Sequence, residues 1–194
     1  MLADPSAPLE DAWTHRVFGN ATDYSRVAID GVAAIRAIGH GSASGLYRTV
    51  HYRSTEYPWL DWSWRVDQLQ KTADIRIKER EDFGAAIFLI FGHPSFFGQN
   101  VPTLAYVWTN DRSSQGAIVD NPRHPGVVRS YVVESGAMRL GQWVHERRNV
   151  VEDFRRIFGR DPPDMVEILA LFTDNDQTGE PVTSYYGAIS AQAN

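Results

Sequence analysis

The stretch Phe83-Gly-Ala-Ala-Ile-Phe-Leu-Ile-Phe91 decides the fold class. Every position in it is apolar or glycine, and the run is too short for a membrane-spanning helix. Since neighbouring side chains of a strand point to opposite faces, a strand of this composition is expected to be covered on both sides. We therefore predict a central strand in a β-structure.

Short apolar runs separated by turn residues continue this pattern along the chain. Alternation is clear at Trp62 and Trp64, and again at Tyr106 and Trp108, where one residue separates each pair. The predicted strands cover residues 13–17, 26–29, 32–38, 46–52, 59–66, 75–78, 83–91, 103–109, 117–119, 127–134, 143–148, 167–173 and 184–190. The sequence thus predicts a mainly β protein, a two-sheet antiparallel β-sandwich of the jelly-roll type.

One segment, residues 150–158, predicts a helix because its apolar residues recur at helical spacing. That apolar stripe consists of Val150, Phe154, Ile157 and Phe158. Asn149 is a suitable N-cap, and Gly159 is a suitable stop. A weaker helical pattern covers residues 66–74.

Length and composition fit one globular domain, with 194 residues of which 43% are hydrophobic and 22% charged. We expect residues 1–10 to form a flexible leader and residues 11–192 a single domain. The net charge of −5, without a basic stripe, argues against a nucleic-acid partner. The absence of Cys excludes disulfides and thiolate chemistry. No apolar run has the length of a membrane span.

Several motifs in a fixed order resemble a bacterial family of uncharacterised function, DUF3047, from about residue 42 to residue 189. They are Ser42-Ala-Ser-Gly-Leu46, Trp59-Leu-Asp-Trp-Ser-Trp-Arg-Val66, Lys78 with Glu81-Asp82-Phe83, Tyr106-Val-Trp108, Gly141-Gln-Trp143 with Glu146-Arg-Arg148, Asp153-Phe154 with Phe158-Gly159, Thr173-Asp-Asn-Asp-Gln-Thr-Gly179 and Tyr186-Gly187. The C-terminal half is also similar, at the level of fold, to jelly-roll carbohydrate-binding modules of the galactose-binding type. These resemblances imply a bacterial source and a sandwich fold, but no established activity. The chain shows no signal peptide, so both a cytoplasmic location and export after removal of a signal stay open.

The segment Asp174-Asn-Asp176-Gln-Thr178-Gly179 is the most specific short motif in the sequence. Oxygen-bearing side chains at alternate positions, followed by Gly, are how a calcium loop begins. An EF-hand needs Glu at its twelfth position, which is Tyr185 here, so that class is excluded. Two interpretations stay open: a structural calcium site of another kind, or an Asx-rich turn that ends a strand. No other cofactor is expected.

Other candidate residues lie on or beside predicted strands. Asp82 is either a base or hydroxyl-binding group at the start of the apolar strand, or part of a solvated charge cluster. Tyr106 and Trp108 form either a stacking platform for a sugar ring or a piece of the core. Arg147, on the same strand face as His145, either recognises a carboxylate such as that of a uronic acid or joins a surface ion-pair ladder.

The candidate ligand-binding set is Asp82, Tyr106, Trp108, His145, Arg147, Asp174 and Asp176. We expect most of these residues to converge on one pocket. The favoured function is a module that binds carbohydrate or a related polar small molecule. The alternatives are a cofactor-free acid/base enzyme (lyase, hydrolase, isomerase or cyclase) and a protein-interaction or structural domain.

Overall fold

The structure is a computed structural model that describes residues 1–92 and 101–193. These residues contain twelve β-strands in two sheets and two α-helices. The strands are β1 (Thr14–Val17), β2 (Asp23–Ile29), β3 (Val32–Gly39), β4 (Ser44–Arg53), β5 (Trp59–Gln68), β6 (Phe83–Phe91), β7 (Thr103–Thr109), β8 (Ile118–Asp120), β9 (Val128–Ser135), β10 (Val144–Asn149), β11 (Met165–Asp174) and β12 (Val182–Gln192). The helices are α1 (Leu9–Ala12) and α2 (Val150–Phe158).

The strands form a large sheet in the order β1-β4-β11-β6-β7-β9-β8 and a small sheet in the order β10-β5-β12-β3-β2. Neighbouring strands are antiparallel in both sheets, with the exception of the parallel pair β7 and β9. The two-sheet antiparallel β-sandwich predicted from the sequence is thereby confirmed. The apolar strand β6 is the fourth of seven in the large sheet, which confirms its predicted central position.

The two sheets pack through large aromatic side chains. Trp62 and Trp64 of β5 face Tyr106 and Trp108 of β7, with ring-centre distances of 5.1 Å for Trp62–Tyr106 and 5.9 Å for Trp64–Trp108. All four side chains are at most 1% exposed, and burying such rings is among the largest apolar contributions to a core. Tyr106 and Trp108 are therefore core residues, and their interpretation as an exposed sugar platform is wrong.

Helix α2 follows β10 directly and begins and ends where its sequence predicts. The side chain of Asn149 accepts hydrogen bonds from Val151 N and Glu152 N, both at 3.1 Å, and so caps the first turn. Gly159 ends the helix in the left-handed conformation at φ 70°, with its N–H bound to Arg155 O.

Residues 75–78 do not form the predicted strand. Asp74 accepts hydrogen bonds from the backbone N–H of Arg76 and from its guanidinium, and the Ile77 N–H donates to Asp74 O. These local bonds take the place of a strand ladder, and a short 3₁₀ turn, Lys78–Arg80, follows. The weaker helix predicted over residues 66–74 is also wrong, because β5 continues to Gln68 in pairing with β12 and residues 69–74 are not helical.

The first residues, predicted to be a flexible leader, contact the domain at several points, among them a hydrogen bond from Arg26 to Ser6 O and the packing of Leu2 and Leu9 against the core. Ala3 is buried and forms an antiparallel bridge with Ile189 of β12, in which Ala3 N donates to Ile189 O at 3.0 Å. Among the described residues, no helix has the length and apolar character needed to cross a membrane.

Candidate functional site

A cleft of about 410 Å³ opens on the outer face of the large sheet. Its floor crosses β4, β11 and β6, from which Tyr47, Phe172 and Phe88 project. These side chains point away from the sandwich interior, because their sequence neighbours Leu171 and Ile87 are buried between the sheets and side chains alternate along a strand. At this cleft the large sheet therefore carries apolar side chains on its outer face as well as on its inner face.

Small residues beside Phe172 create the depression in the sheet. In the strand register, Phe172 is flanked by Gly45 of β4 and Ala86 of β6. A Cβ atom on Gly45 would lie only 2.6 Å from Cδ2 of Phe172, closer than carbon atoms approach in a folded protein. The ring can lie across β4 only because this position is glycine.

Four phenylalanines form the apolar part of the cleft, which we call the Phe cluster: Phe18, Phe83, Phe88 and Phe172. Phe172 is at its centre, with ring-centre distances of 6.0 Å to Phe18, 5.9 Å to Phe83 and 5.8 Å to Phe88. Phe18 is 62% exposed, and Phe88 and Phe172 are partly exposed. Aromatic rings left partly open to solvent in a concave site are suited to binding a ligand with an apolar face.

Polar side chains surround the Phe cluster. They are Glu81, Asn121, Arg123, His124, Asp174, Asp176 and Gln177. Arg123 forms an ion pair with Glu81, and its guanidinium also donates to the backbone oxygen of Lys78 at 3.0 Å. The positive charge of Arg123 is thus already compensated within the protein.

Three carboxylates meet at one end of the cleft, where β11 ends and β6 begins. Oxygen atoms of Asp82, Asp174 and Asp176 all lie within 4.8 Å of one another. Carboxylate oxygens are ligands that calcium prefers, so the structure brings together the side chains that a calcium site would use. Calcium binding by this cluster stays a prediction.

Asp82 holds the turn that follows β11. Its carboxylate accepts hydrogen bonds from Thr178 N at 2.7 Å, from Thr178 Oγ1 at 2.6 Å and from Gln177 N at 3.3 Å. Its side chain is fully buried, so these bonds replace those that water would make. Asp82 therefore positions the turn, whereas Asp174 and Asp176 line the cleft itself.

The crowding of carboxylates changes their proton affinity. Burial, followed by the negative charges of Asp82 and Asp176, raises the pKa of Asp174 well above its ordinary value. Burial also raises the pKa of Asp82, although the hydrogen bonds from Thr178 and Gln177 oppose that shift. A carboxyl group that keeps its proton at higher pH can donate a hydrogen bond or a proton to a ligand in the cleft.

Tyr106 and Trp108 do not reach this cleft, because they project from the inner face of the same sheet. The Tyr106 hydroxyl donates to Asp153 Oδ2 at 2.9 Å, and the Trp108 indole N–H donates to Gly136 O at 3.2 Å. Both polar groups are thus used inside the sandwich.

His145 and Arg147 lie on the other side of the molecule, on the outer face of the small sheet. They flank Asp61, with His145 Nε2 3.7 Å and Arg147 Nη1 3.5 Å from Asp61 Oδ1. The guanidinium of Arg147 also lies 5.0 Å from the ring centre of Trp59. This is the surface ion-pair arrangement, so the prediction that most of the candidates converge on one pocket is wrong. Asp174 and Asp176 line the cleft, Asp82 lies beside them in the carboxylate cluster, and the other four lie elsewhere.

The sequence patterns did not predict the Phe cluster or Tyr47 as part of a site. One signal for it was present in Phe83–Phe91, where Phe88 and Ile90 are apolar on the strand face opposite to Ile87 and Leu89. A sandwich strand with a solvated outer face would carry polar residues there. Apolar side chains on both faces therefore indicate either a cover or a ligand-binding surface, and periodicity does not distinguish these two.

Solved structures of similar fold include proteins that act on or bind carbohydrate. The xyloglucanase domain of NopAA from Sinorhizobium fredii, solved in complex with cellobiose, is 10% identical, with a TM-score of 0.51 over 95% of this chain and 95% of that chain. A family 11 carbohydrate-binding module from Clostridium thermocellum, in complex with a β-1,3-1,4-mixed-linked tetrasaccharide, is 11% identical, with a TM-score of 0.51 over 100% of this chain and 94% of that chain. At these identities the likeness shows the fold alone.

Sequence comparison identifies the family directly. No curated protein sequence matches the chain. The family described as "Protein of unknown function (DUF3047)" matches residues 11–190, which include every strand of both sheets except the last two residues of β12. The chain therefore belongs to the DUF3047 family.

Proposed function

We propose that this protein is a carbohydrate-binding domain whose ligand lies in the cleft over the Phe cluster. One observation carries the proposal: partly exposed aromatic side chains from neighbouring strands line a concave, polar-edged surface on a sheet that would otherwise face water. A sugar has an apolar C–H face and a rim of hydroxyl groups, so it complements a surface of this kind.

Each part of the cleft has a role in this proposal. Phe88, Phe172 and Tyr47 provide surfaces on which the ring of a sugar packs. Asp174 and Asp176 exchange hydrogen bonds with sugar hydroxyls, which supply the directional part of recognition. Asp82 acts indirectly, because it holds the turn that carries Asp176.

The fold of the structural neighbours is consistent with this function. One was solved with cellobiose and another with a mixed-linked tetrasaccharide. Sandwich folds serve many functions, however, so the proposal depends on the cleft and not on the likeness.

Isothermal titration with cellobiose and with the mixed-linked tetrasaccharide, extended to a panel of other neutral oligosaccharides, tests the proposal. We expect saturable binding to at least one of them, and a loss of affinity of about fivefold or more in Phe88→Ala and in Phe172→Ala, since each removes a stacking surface of about 1 kcal/mol or more. Tyr57→Ala is the matched control, because Tyr57 is an exposed aromatic residue that does not line the cleft. Equal loss in the control, or no binding across the panel, would contradict the proposal.

The second candidate is a cofactor-free acid/base enzyme that uses the same cleft. The raised pKa of Asp174 favours it, because acid catalysis near neutral pH requires a carboxyl group that keeps its proton there. Release of reducing ends or of unsaturated products from the bound oligosaccharide is the measurement. If the protein is such an enzyme, Asp174→Asn abolishes turnover of the oligosaccharide and retains its binding. If the wild-type protein binds the oligosaccharide without turnover, it is a binding domain only.

A further inference from the structure

A second cavity of about 420 Å³ adjoins the cleft on the large sheet. It is lined by parts of β1, β4 and β11 and by the segment that contains α1. Tyr47 and Ile168 line both cavities, so the two are neighbours with a common wall.

The strand register shows that both cavities open on the same face. Thr14 pairs with Tyr47, Tyr47 with Ala170, and Ala170 with Phe88, so these residues form one row across four strands. Directly paired residues share a face of a sheet, and Phe88 is on the outer one. The row continues to Ala105 of β7.

The two cavities therefore form one groove that runs across the strands, which we call the cross-strand groove. It extends from β1 through β4, β11 and β6 to β7, which is four spacings of about 4.8 Å, or roughly 19 Å in all. A groove of this length exceeds what a single sugar ring fills.

The charges of the first cleft oppose an acidic ligand. Among the described residues that line the first cleft, Asp174 and Asp176 crowd against Asp82, and Arg123 is already paired with Glu81. In the second cavity Glu10 and Asp11 add two further acidic side chains, beside two arginines. The second cavity is therefore balanced in charge, and a uronic acid would meet like charges at the acidic end of the first cleft.

From this arrangement we infer that the ligand is a linear, neutral oligosaccharide that crosses both cavities, with Tyr47 beneath its middle. The inference rests on the proposed function and adds to it the length and the charge of the ligand. Tyr47 is suited to the central position because it projects from the outer face between Thr14 and Ala170, with its ring available to both cavities.

A chain-length series tests the inference. Cello-oligosaccharides and mixed-linked β-glucan oligosaccharides from the disaccharide to the hexasaccharide are titrated against the full chain by isothermal calorimetry. Affinity is expected to rise by tenfold or more with length, and an oligogalacturonate of equal length is expected to bind at least tenfold more weakly than the best neutral hexasaccharide.

Two variants locate the gain in affinity. Thr49→Lys and Thr14→Lys place a long side chain in the second cavity at exposed strand positions, where the fold tolerates it. Each is expected to reduce hexasaccharide affinity to that of the disaccharide, and to leave disaccharide affinity in the cleft unchanged. Tyr47→Ala is expected to weaken the binding of both the disaccharide and the hexasaccharide. Tyr47→Phe is expected to bind both as the wild type does.

The outcomes are distinguishable. Binding of the disaccharide without any gain from added length, or equal binding of the oligogalacturonate, overturns the cross-strand inference and leaves the binding function in place. No binding of any length overturns the proposed function, and the inference fails with it.

Discussion

At the scale of single residues, the molecule holds carboxyl groups in positions that disfavour their charge. Glu146 of β10 and Glu134 of β9 lie close enough for their charges to interact, and Arg139 Nη1 is 3.1 Å from Glu134 Oε1. Burial, followed by the charge of Glu134, raises the pKa of Glu146 from its ordinary 4.5 to about 7. Neither glutamate lines the cleft, so their effect is on stability.

The raised pKa of Glu146 predicts how stability depends on pH. Between about 4.5 and about 7, the folded state keeps a proton that the unfolded state has lost, so the free energy of unfolding falls as pH rises through this window. Glu146→Gln removes the titrating group, and we expect it to stabilise the protein by about 2 kcal/mol at pH 8 and to flatten the profile. Urea unfolding across pH measures both effects.

A matched control separates the effect of Glu146 on stability from the effect of replacing any glutamate by glutamine. Glu79 is an exposed glutamate in the 3₁₀ turn, so Glu79→Gln is expected to change the free energy of unfolding by less than about 0.5 kcal/mol at every pH. A Glu146→Gln protein with an unchanged pH profile would show that Glu146 is ionised in the folded state throughout this window.

At the scale of elements, the turn after β11 depends on a residue from another part of the chain. Asp82, just before β6, accepts three hydrogen bonds from Gln177 and Thr178 and thereby joins the two elements that form the acidic end of the cleft. Asp82→Ala is expected to destabilise the protein by about 2 kcal/mol, because it leaves the partly buried N–H donors of this turn without their acceptor. The midpoint of urea unfolding measures the loss.

Asp176 provides the comparison for this prediction. It carries the same charge in the same cluster but is exposed, and Asp176→Ala is expected to change stability by no more than about 0.5 kcal/mol. If the two alanine variants were equally stable, the turn would not depend on Asp82.

Elements with local signals could be predicted from the sequence, and those that depend on distant partners could not. Helix α2 was predictable because its cap, stripe and stop are all within residues 149–159. The predicted strand at residues 75–78 was wrong because the side chain of Asp74 competes for the backbone. The acidic turn was found from its spacing, but its partner Asp82 comes from far along the chain.

At the scale of the whole molecule, alternation indicates which side chains share a face but not which face is outside. Tyr106 and Phe88 lie on adjacent strands, and each has an apolar neighbour two residues away, yet one is core and the other lines the cleft. The difference is set by where the small sheet covers the large one, which depends on pairings between distant strands. For this reason the sandwich could be predicted, and only the three aspartates of the predicted site came together.

The location of the ligand on the molecule is the central claim. Titration of the isotope-labelled protein with the β-1,3-1,4-mixed-linked tetrasaccharide, followed by amide chemical shifts, tests it most directly. We predict saturable shifts at Tyr47, Phe88, Phe172 and Asp176, on β4, β6, β11 and the acidic turn, with no shifts at His145 and Arg147 on β10. Shifts confined to β10 and the small sheet, or none up to saturating sugar, would contradict the account.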